Sequence, residues 1–412
     1  MIRRHARHNM TVVKTLTYLM FAMFAMTTDS VGIIIPEVIR TFGLSLTAAG
    51  TFQYATMAGI AVAALLLGHL ADGLGRRRTI VAGLTVFAAA CFLLAAGRSF
   101  VVFAILLGLS GIAIGVFKTG ALALIGDIST STAQHTSIMN TAEGFFGVGA
   151  IIGPAILTRL LAAGLPWTWL YVVAGSLCVL LIVLALLVKY PESAAPSADG
   201  GLADTGRAMR NPYVLAFSAG AFLYVGVEAA IYVWMPTLLA GYTGRATALA
   251  AYSISVFFLL RAAGRFLGAW MLTRIQWQTV IAVFSGSILA CFALSVTGGV
   301  RWAVYLLPLS GLFMSVIYPT LNSKGISCLP KSEHGAGAGV ILFFTCVSAV
   351  LSPLAIGAVS DAFGQIVYGF WLATGLAALL FAGALVNWVL NPTKEVLRQL
   401  DATEYRDQLE RA

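Results

Sequence analysis

The feature that most restricts this chain is a series of about twelve apolar runs, each near the 20 residues that a helix needs to cross a bilayer. They begin near Lys14, Ala48, Thr79, Phe100, Thr136, Trp167, Pro212, Thr247, Thr279, Trp302, Gly335 and Gln365. The joints between them are short and are polar or carry Gly or Pro. Of the 412 residues 59% are hydrophobic and 10% charged, where a globular domain carries roughly a quarter charged. With a mean hydropathy of +0.92, most of the chain has lipid as its solvent. Strand-like alternation does not persist over a span, which excludes a β-barrel. The expected fold is an all-α membrane protein of twelve transmembrane helices. The run from Val12 to Ile35 is too long for the apolar core of a signal peptide and has no convincing cleavage site, so it reads as the first span.

Basic residues set the expected orientation. With the N-terminus inside, the inner segments hold Arg3, Arg4, Arg7, Arg76, Arg77, Arg78, Lys189, Arg207, Arg210, Arg274, Lys331, Lys394, Arg398, Arg406 and Arg411. The outer joints hold only Arg40, Arg98, Arg245 and Arg301, with Arg159 near a span end. This positive-inside bias places both termini in the cytoplasm of a multi-pass inner-membrane protein, expected to be a monomer. The net charge of +9 then reflects topology, and no nucleic-acid partner is implied. Cys91, Cys178, Cys291, Cys328 and Cys346 lie in or near spans without metal spacing and read as packing residues. A phosphate-binding Gly-Lys-Ser/Thr loop is absent, so no ATP-driven cycle, no cofactor, no metal and no enzyme activity are expected. His135 and His334 open two spans and read as interface residues rather than ligands.

The chain divides into halves that resemble each other. Leu109-Ser110-Gly111 returns as Leu309-Ser310-Gly311, Gly68 as Gly268 and Pro36 as Pro236, all at an offset of 200 residues. Gly153-Pro154 and Ser352-Pro353 match at 199, as do His135 and His334. The longest polar segment lies between the two sets. The expected units are therefore a six-helix half over residues 1–188, a cytoplasmic linker over 189–211, a second six-helix half over 212–390 and a cytoplasmic tail over 391–412. Between the second and third runs stands Gly68-His-Leu-Ala-Asp-Gly-Leu-Gly-Arg-Arg-Arg78, one carboxylate and three guanidiniums. This loop resembles the signature loop of the major facilitator superfamily, whose architecture is two parallel six-helix repeats. Gly68 permits a close helix approach and Gly75 a tight turn. The resemblance implies that Gly68, Asp72, Gly75, Arg76 and Arg77 form a latch, with Asp72 accepting from a helix N-terminus or a basic residue of the other half.

Within that superfamily several stretches resemble the fucose-permease branch of sugar/proton symporters. They are Thr27-Thr28-Asp29 with Ile35-Pro36, Asn140 with Gly144 to Pro154, Tyr224 to Glu228, Gly264-Arg265 and Tyr318-Pro319-Thr320. The likeness implies a secondary active transporter that moves a small polar, sugar-like solute in symport with a proton rather than sodium. One departure stands out: where the branch has a fourth-span Glu followed by Thr, this chain has Lys118-Thr119. The alternatives are an organic-anion carrier or exchanger, favoured by Lys118, Arg261 and Lys324, and a drug-efflux antiporter, favoured by Gly149-x-x-x-Gly153-Pro154. A non-transporting sensor or scaffold would need a larger soluble domain.

Ionisable residues at membrane depth are functional candidates by default. In the implied architecture the first, fourth, seventh and tenth spans line the cavity, and they carry Asp29, Lys118, Glu228 and Lys324. Asp29, Glu228 and Glu143 are the candidates for proton coupling. Asp29 and Lys118 are expected to form a charge pair, and Glu143 either touches solute, pairs with Lys118 or serves packing. Lys118, Asn140, Tyr224, Trp234, Arg261 and Tyr318 are the candidates for solute contact. Arg261 suits a carboxylate, and Tyr224 and Trp234 come first among the aromatics for stacking on a sugar ring. Arg265 reads as a structural partner for helix ends, and Lys324 as a residue that snorkels to water.

Overall fold

The computed structural model describes residues 2–43, 46–191 and 201–405, with side chains at 10–43, 52–191 and 201–405. The side chains of Arg3, Arg4 and Arg7, together with Arg406, Arg411 and the linker stretch 192–200, therefore lie outside what is described below. Helices account for nearly all the described residues, and none of these residues forms a strand. Eleven helices are long and apolar enough to cross a membrane. The apolar helix Phe52–Leu67, part of Leu46–Leu67, supplies a twelfth. This is a multi-pass membrane protein.

The first span, Met10–Phe42, is broken at Asp29-Ser30, between the helices Ile2–Thr28 and Val31–Phe42. The break has a local cause. Hydroxyls of Thr27, Thr28 and Ser30 bond back to the carbonyls of Phe24 and Met26 (2.6 to 3.2 Å), and such back-bonding bends helices. Pro36 then removes a backbone donor in the next turn. The seventh span, Pro212–Leu239, is interrupted at the corresponding depth by a single wide turn, Ala230–Trp234, just after Glu228. Pro236 follows it, and the wide turn relieves the crowding of its ring against the carbonyl one turn back. The tenth span, Val300–Ile326, breaks at Ser315-Val316, ahead of Pro319. Three of the four spans expected to line the cavity are thus interrupted beside their functional candidates.

Packing repeats between the halves. The fourth span (Phe100–Asp127) nests against the second and the third (Arg76–Ala96), and the tenth against the eighth (Ser253–Met271) and ninth (Trp277–Gly298). Buried apolar residues form two clusters. One runs through the first six spans and takes in Val214 and Ala221 of the seventh, Ile326 of the tenth and Ala336 to Cys346 of the eleventh, and the other fills the rest of the seventh to twelfth spans. The fifth span (Thr132–Ala162) crosses the first very closely. A Cβ on Gly149 would stand 1.9 Å from the carbonyl oxygen of Ala22, and one on Gly153 2.1 Å from that of Met26. That Gly-x-x-x-Gly pair is a packing seam.

Two polar segments are more ordered than their composition suggests. Leu202–Ala208, inside the linker, is a short helix against the second and eleventh spans, and its Arg207 bridges Asp204 and Glu333. The segment after Asn391 folds back on the arginine-rich end. Asp401 accepts from the Thr132 backbone N–H (2.7 Å) and hydroxyl (3.0 Å), capping the fifth span.

Candidate functional site

Two polar sites lie along the contact between the halves. The first is at the arginine-rich end. The eleventh span, His334–Phe363, presents its first-turn amides to Asp72: Gly335 N–H donates to Oδ1 and Ala336 N–H to Oδ2, each at 2.9 Å. A carboxylate is well placed at such a helix start. Arg76 reaches Asp72 (2.5 Å), Asp127 at the end of the fourth span (2.9 Å) and the Lys331 carbonyl (2.5 Å). One buried guanidinium therefore joins both halves. Gly75 has a φ of +88°, a conformation only glycine adopts at low cost. Gly68 sits where a Cβ would meet the Gly335 carbonyl at 3.0 Å and Gly339 Cα at 3.2 Å. Arg77 does not take part: it donates to the Ala185 and Leu186 carbonyls and ties the third span to the end of the sixth. Asp127, Lys331, Gly335, Ala336 and Gly339 were missed in the sequence, although the alternating glycines from Gly335 to Gly339 were a visible sign of a close helix crossing.

The same end is held by a polar seam between the fifth and tenth spans. His135 and the Ser327 hydroxyl are hydrogen-bonded (2.7 Å), as are the Thr136 and Ser323 hydroxyls (2.9 Å), and Lys324 Nζ donates to the Thr132 carbonyl (3.1 Å). Lys324 is buried and does not snorkel, because that carbonyl and the Trp277 ring enclose its ammonium. His135 and His334 stack on each other, 5.9 Å between centroids, and so face the opposite half and not the membrane surface.

The second site is a cavity of about 580 Å³, within the usual range for small-molecule sites. It extends from the middle of the protein away from the arginine-rich end, toward Ile35, Gln53, Val233 and Ile254. Asp29, Lys118, Glu143, Glu228, Arg261 and Tyr318 all line it. Their pairing departs from one sequence expectation and follows another. Lys118 pairs with Glu143 (3.6 Å) and not with Asp29. Its ammonium lies among Phe146, Tyr318 and Phe21, 5.1 to 6.0 Å from their centroids. Arg261 pairs with Glu228 (2.8 Å), which also accepts from Tyr224 (3.0 Å). Arg265 crosses from the eighth span to the fifth, bonding the Glu143 carbonyl (2.8 Å) and approaching its carboxylate (3.4 Å). It meets the middle of a helix, where the expectation was a helix end. Asp29 accepts from Thr28 (3.0 Å) and, among the described residues, has no cation within 4 Å.

Three expected solute contacts do not line the cavity. Tyr224 stands behind Glu228. Trp234 is turned to the eleventh span, donating to the Pro353 carbonyl (3.1 Å). Asn140 is buried between the Thr136 carbonyl and Thr320. The wide turn after Glu228, which contains Trp234, places it off the cavity face, and residue spacing carries no sign of it. Phe117, Phe146, Tyr232 and Tyr318 supply aromatic wall, joined by Phe21, Phe24 and Phe258, which general helix-packing composition conceals.

The Major Facilitator Superfamily profile matches residues 17–353. A glucose/galactose transporter of Brucella abortus is 26% identical over 365 residues, covering 84% of this chain and 87% of that protein. The L-fucose-proton symporter of Escherichia coli K12 is 24% identical over 388 residues, covering 84% and 86%. The crystal structure of a major facilitator superfamily transporter, FucP, in the outward conformation superposes with a TM-score of 0.79 at 20% identity, covering 92% of this chain and 99% of that one.

Proposed function

This chain belongs to the major facilitator superfamily, and we propose that it is a secondary active transporter carrying a small sugar-like solute in symport with a proton. The observation that carries the reading is the charged cavity between the halves, in which Asp29 alone among the three carboxylates has no cation within 4 Å among the described residues. Such a group can gain and lose a proton without breaking an ion pair, as a coupling carboxylate must. Glu143 and Glu228, each already paired, serve to hold the fifth, seventh and eighth spans around the solute. The similarity to a glucose/galactose transporter and an L-fucose-proton symporter supports a monosaccharide-like solute, and Lys118, Arg261 and Tyr318 are then the contacts.

The arginine-rich end is taken as cytoplasmic, with both termini there. In this arrangement Asp72, Gly68, Gly75 and Arg76 hold the cytoplasmic side shut while the cavity faces outward. The halves 1–188 and 212–390 rock about the cavity, and the linker and tail stay on the cytoplasmic side. Exchange of sites between faces requires the bonds from Asp72 to Gly335 and Ala336 to open.

The test is transport in vesicles containing the full-length protein. A pH gradient should drive accumulation of a monosaccharide. Asp29→Asn should abolish accumulation, at least tenfold, while leaving solute exchange across the membrane, which needs no net proton movement. Undiminished accumulation in the mutant would move the coupling role away from Asp29.

A further inference from the structure

We infer that the preferred solute is a sugar monocarboxylate, a uronic or aldonic acid, whose carboxylate is received at Lys118 while Asp29 carries the proton. The inference rests on the proton-coupled sugar reading above and specifies its substrate class. It comes from the placement of six charged groups. Glu143 is shared by Lys118 (3.6 Å) and Arg265 (3.4 Å), so that cluster carries one positive charge in excess. Arg261 and Glu228 cancel at 2.8 Å. Asp29 carries the balancing negative charge, outside both ion pairs, and among the described residues only the Thr28 hydroxyl is bonded to it.

The excess cation is exposed to the solute. The Lys118 side chain is 15% accessible where Arg265 is 2%. Its surroundings are otherwise the aromatic faces of Phe146, Tyr318 and Phe21, which attract a cation but leave ammonium N–H groups without oxygen acceptors. Among the described residues, Arg261 Nε and Arg265 Nε are buried and have no acceptor either. Glu143 Oε1 is likewise buried without a donor at hydrogen-bond distance, but the Lys118 ammonium and the two guanidinium nitrogens outnumber it, and a carboxylate is the acceptor that a solute can bring.

Charge balance sets the valence. A net charge in the membrane interior is costly. With Asp29 ionised the empty cavity is neutral and free to change faces. Protonating Asp29 leaves it with one positive charge, which a neutral sugar does not offset and a monoanion does. A dianion would leave a negative charge. Only the pair of one proton and one monoanion makes both the empty and the loaded carrier neutral. The proton sits on the Asp29 carboxylate in the loaded form and leaves with the solute at the other face, so no further reactant is needed.

The experiment uses full-length protein in vesicles with D-glucuronate and D-gluconate against D-glucose, D-galactose and L-fucose, at pH 7. An inside-alkaline gradient should accumulate at least one of the acids, with at least tenfold preference over the neutral sugars and no response to an imposed membrane potential. Lys118→Gln should erase that preference at least tenfold, and Lys118→Arg should keep it. Proton-driven uptake of neutral sugars alone would overturn this inference and leave the proton–sugar reading standing. Uptake of neither class would overturn both. Uptake of the acids that follows the potential would refute the charge balance. Because the preference is read first on the unaltered protein, a poorly folding variant does not remove the test.

Discussion

Glu143 is the residue on which the cavity turns. It is shared by two cations from two different spans and accepts from one of them at its carbonyl as well. Removing one member of a buried charge group is costly because the remainder is left uncompensated, about 3 to 5 kcal/mol. The cost here is unequal. Lys118→Gln leaves Glu143 still facing Arg265 and should be mild for the fold. Glu143→Gln leaves two buried cations without a counter-charge and should destabilise by about 3 kcal/mol. Adding Lys118→Gln to Glu143→Gln should recover part of that loss. Denaturant or thermal unfolding of the three purified variants gives the answer, and a double mutant no better than Glu143→Gln alone would sink the account. The six charged residues were visible in the sequence because charge is rare in spans. Their partners were only partly visible: Lys118 was matched with Asp29, with Glu143 as one alternative, because a place on a cavity-lining span does not say which way a side chain faces.

At the scale of single helices, the two glycine seams have different work. Gly153 fixes the first span against the fifth within one half, where a Cβ would lie 2.1 Å from the Met26 carbonyl. Gly339 fixes the eleventh against the second across the two halves, where a Cβ would lie 2.1 Å from the Ala64 carbonyl. Backbone cannot yield to a methyl at that distance, so in each case the helices must part. Gly153→Ala should therefore lower the yield of folded protein, since that seam never opens. Gly339→Ala should fold, because the halves can separate, but should favour the form open at the arginine-rich end. Yield by size-exclusion profile together with labelling of a cysteine introduced at that end separates the two effects. Poor folding of Gly339→Ala with normal folding of Gly153→Ala would reverse the assignment. Helix number, the half-to-half offset and the loop motif were legible because lipid demands long apolar runs and their joints keep their chemistry. The breaks at Asp29-Ser30 and after Glu228 were not, because hydroxyl back-bonding and a proline bulge are small local choices that leave hydropathy unchanged. The tail was legible as a segment beyond the last span, but the cap that its Asp401 places on Thr132 depends on a contact about 270 residues distant in sequence.

The molecule as a whole must exchange the closed arginine-rich end for an open one, and Asp72 makes that exchange sensitive to acid. Burial raises its pKa from 3.8 to about 6, a rise that the Arg76 guanidinium and the Gly335 and Ala336 N–H groups oppose without cancelling. Opening returns the side chain to water and to its ordinary range. Between about pH 4 and 6 the closed form thus holds a proton that the open form has released. The form that binds more protons gains as pH falls, so acid on this side favours closure. Above about pH 6 the carboxylate is ionised in both forms, and its influence on the balance becomes constant. Arg76, Asp127, Lys331 and His334 surround the same cluster, so the contribution of Asp72 is isolated by subtraction: Asp72→Asn keeps the shape and removes the titration. Spin-label distances across the arginine-rich end should show the open fraction shrinking from pH 7 to pH 5 in the unaltered protein and changing much less in Asp72→Asn. An open fraction that grows with acid, or a response that survives unchanged in the mutant, would mean that another group governs the latch.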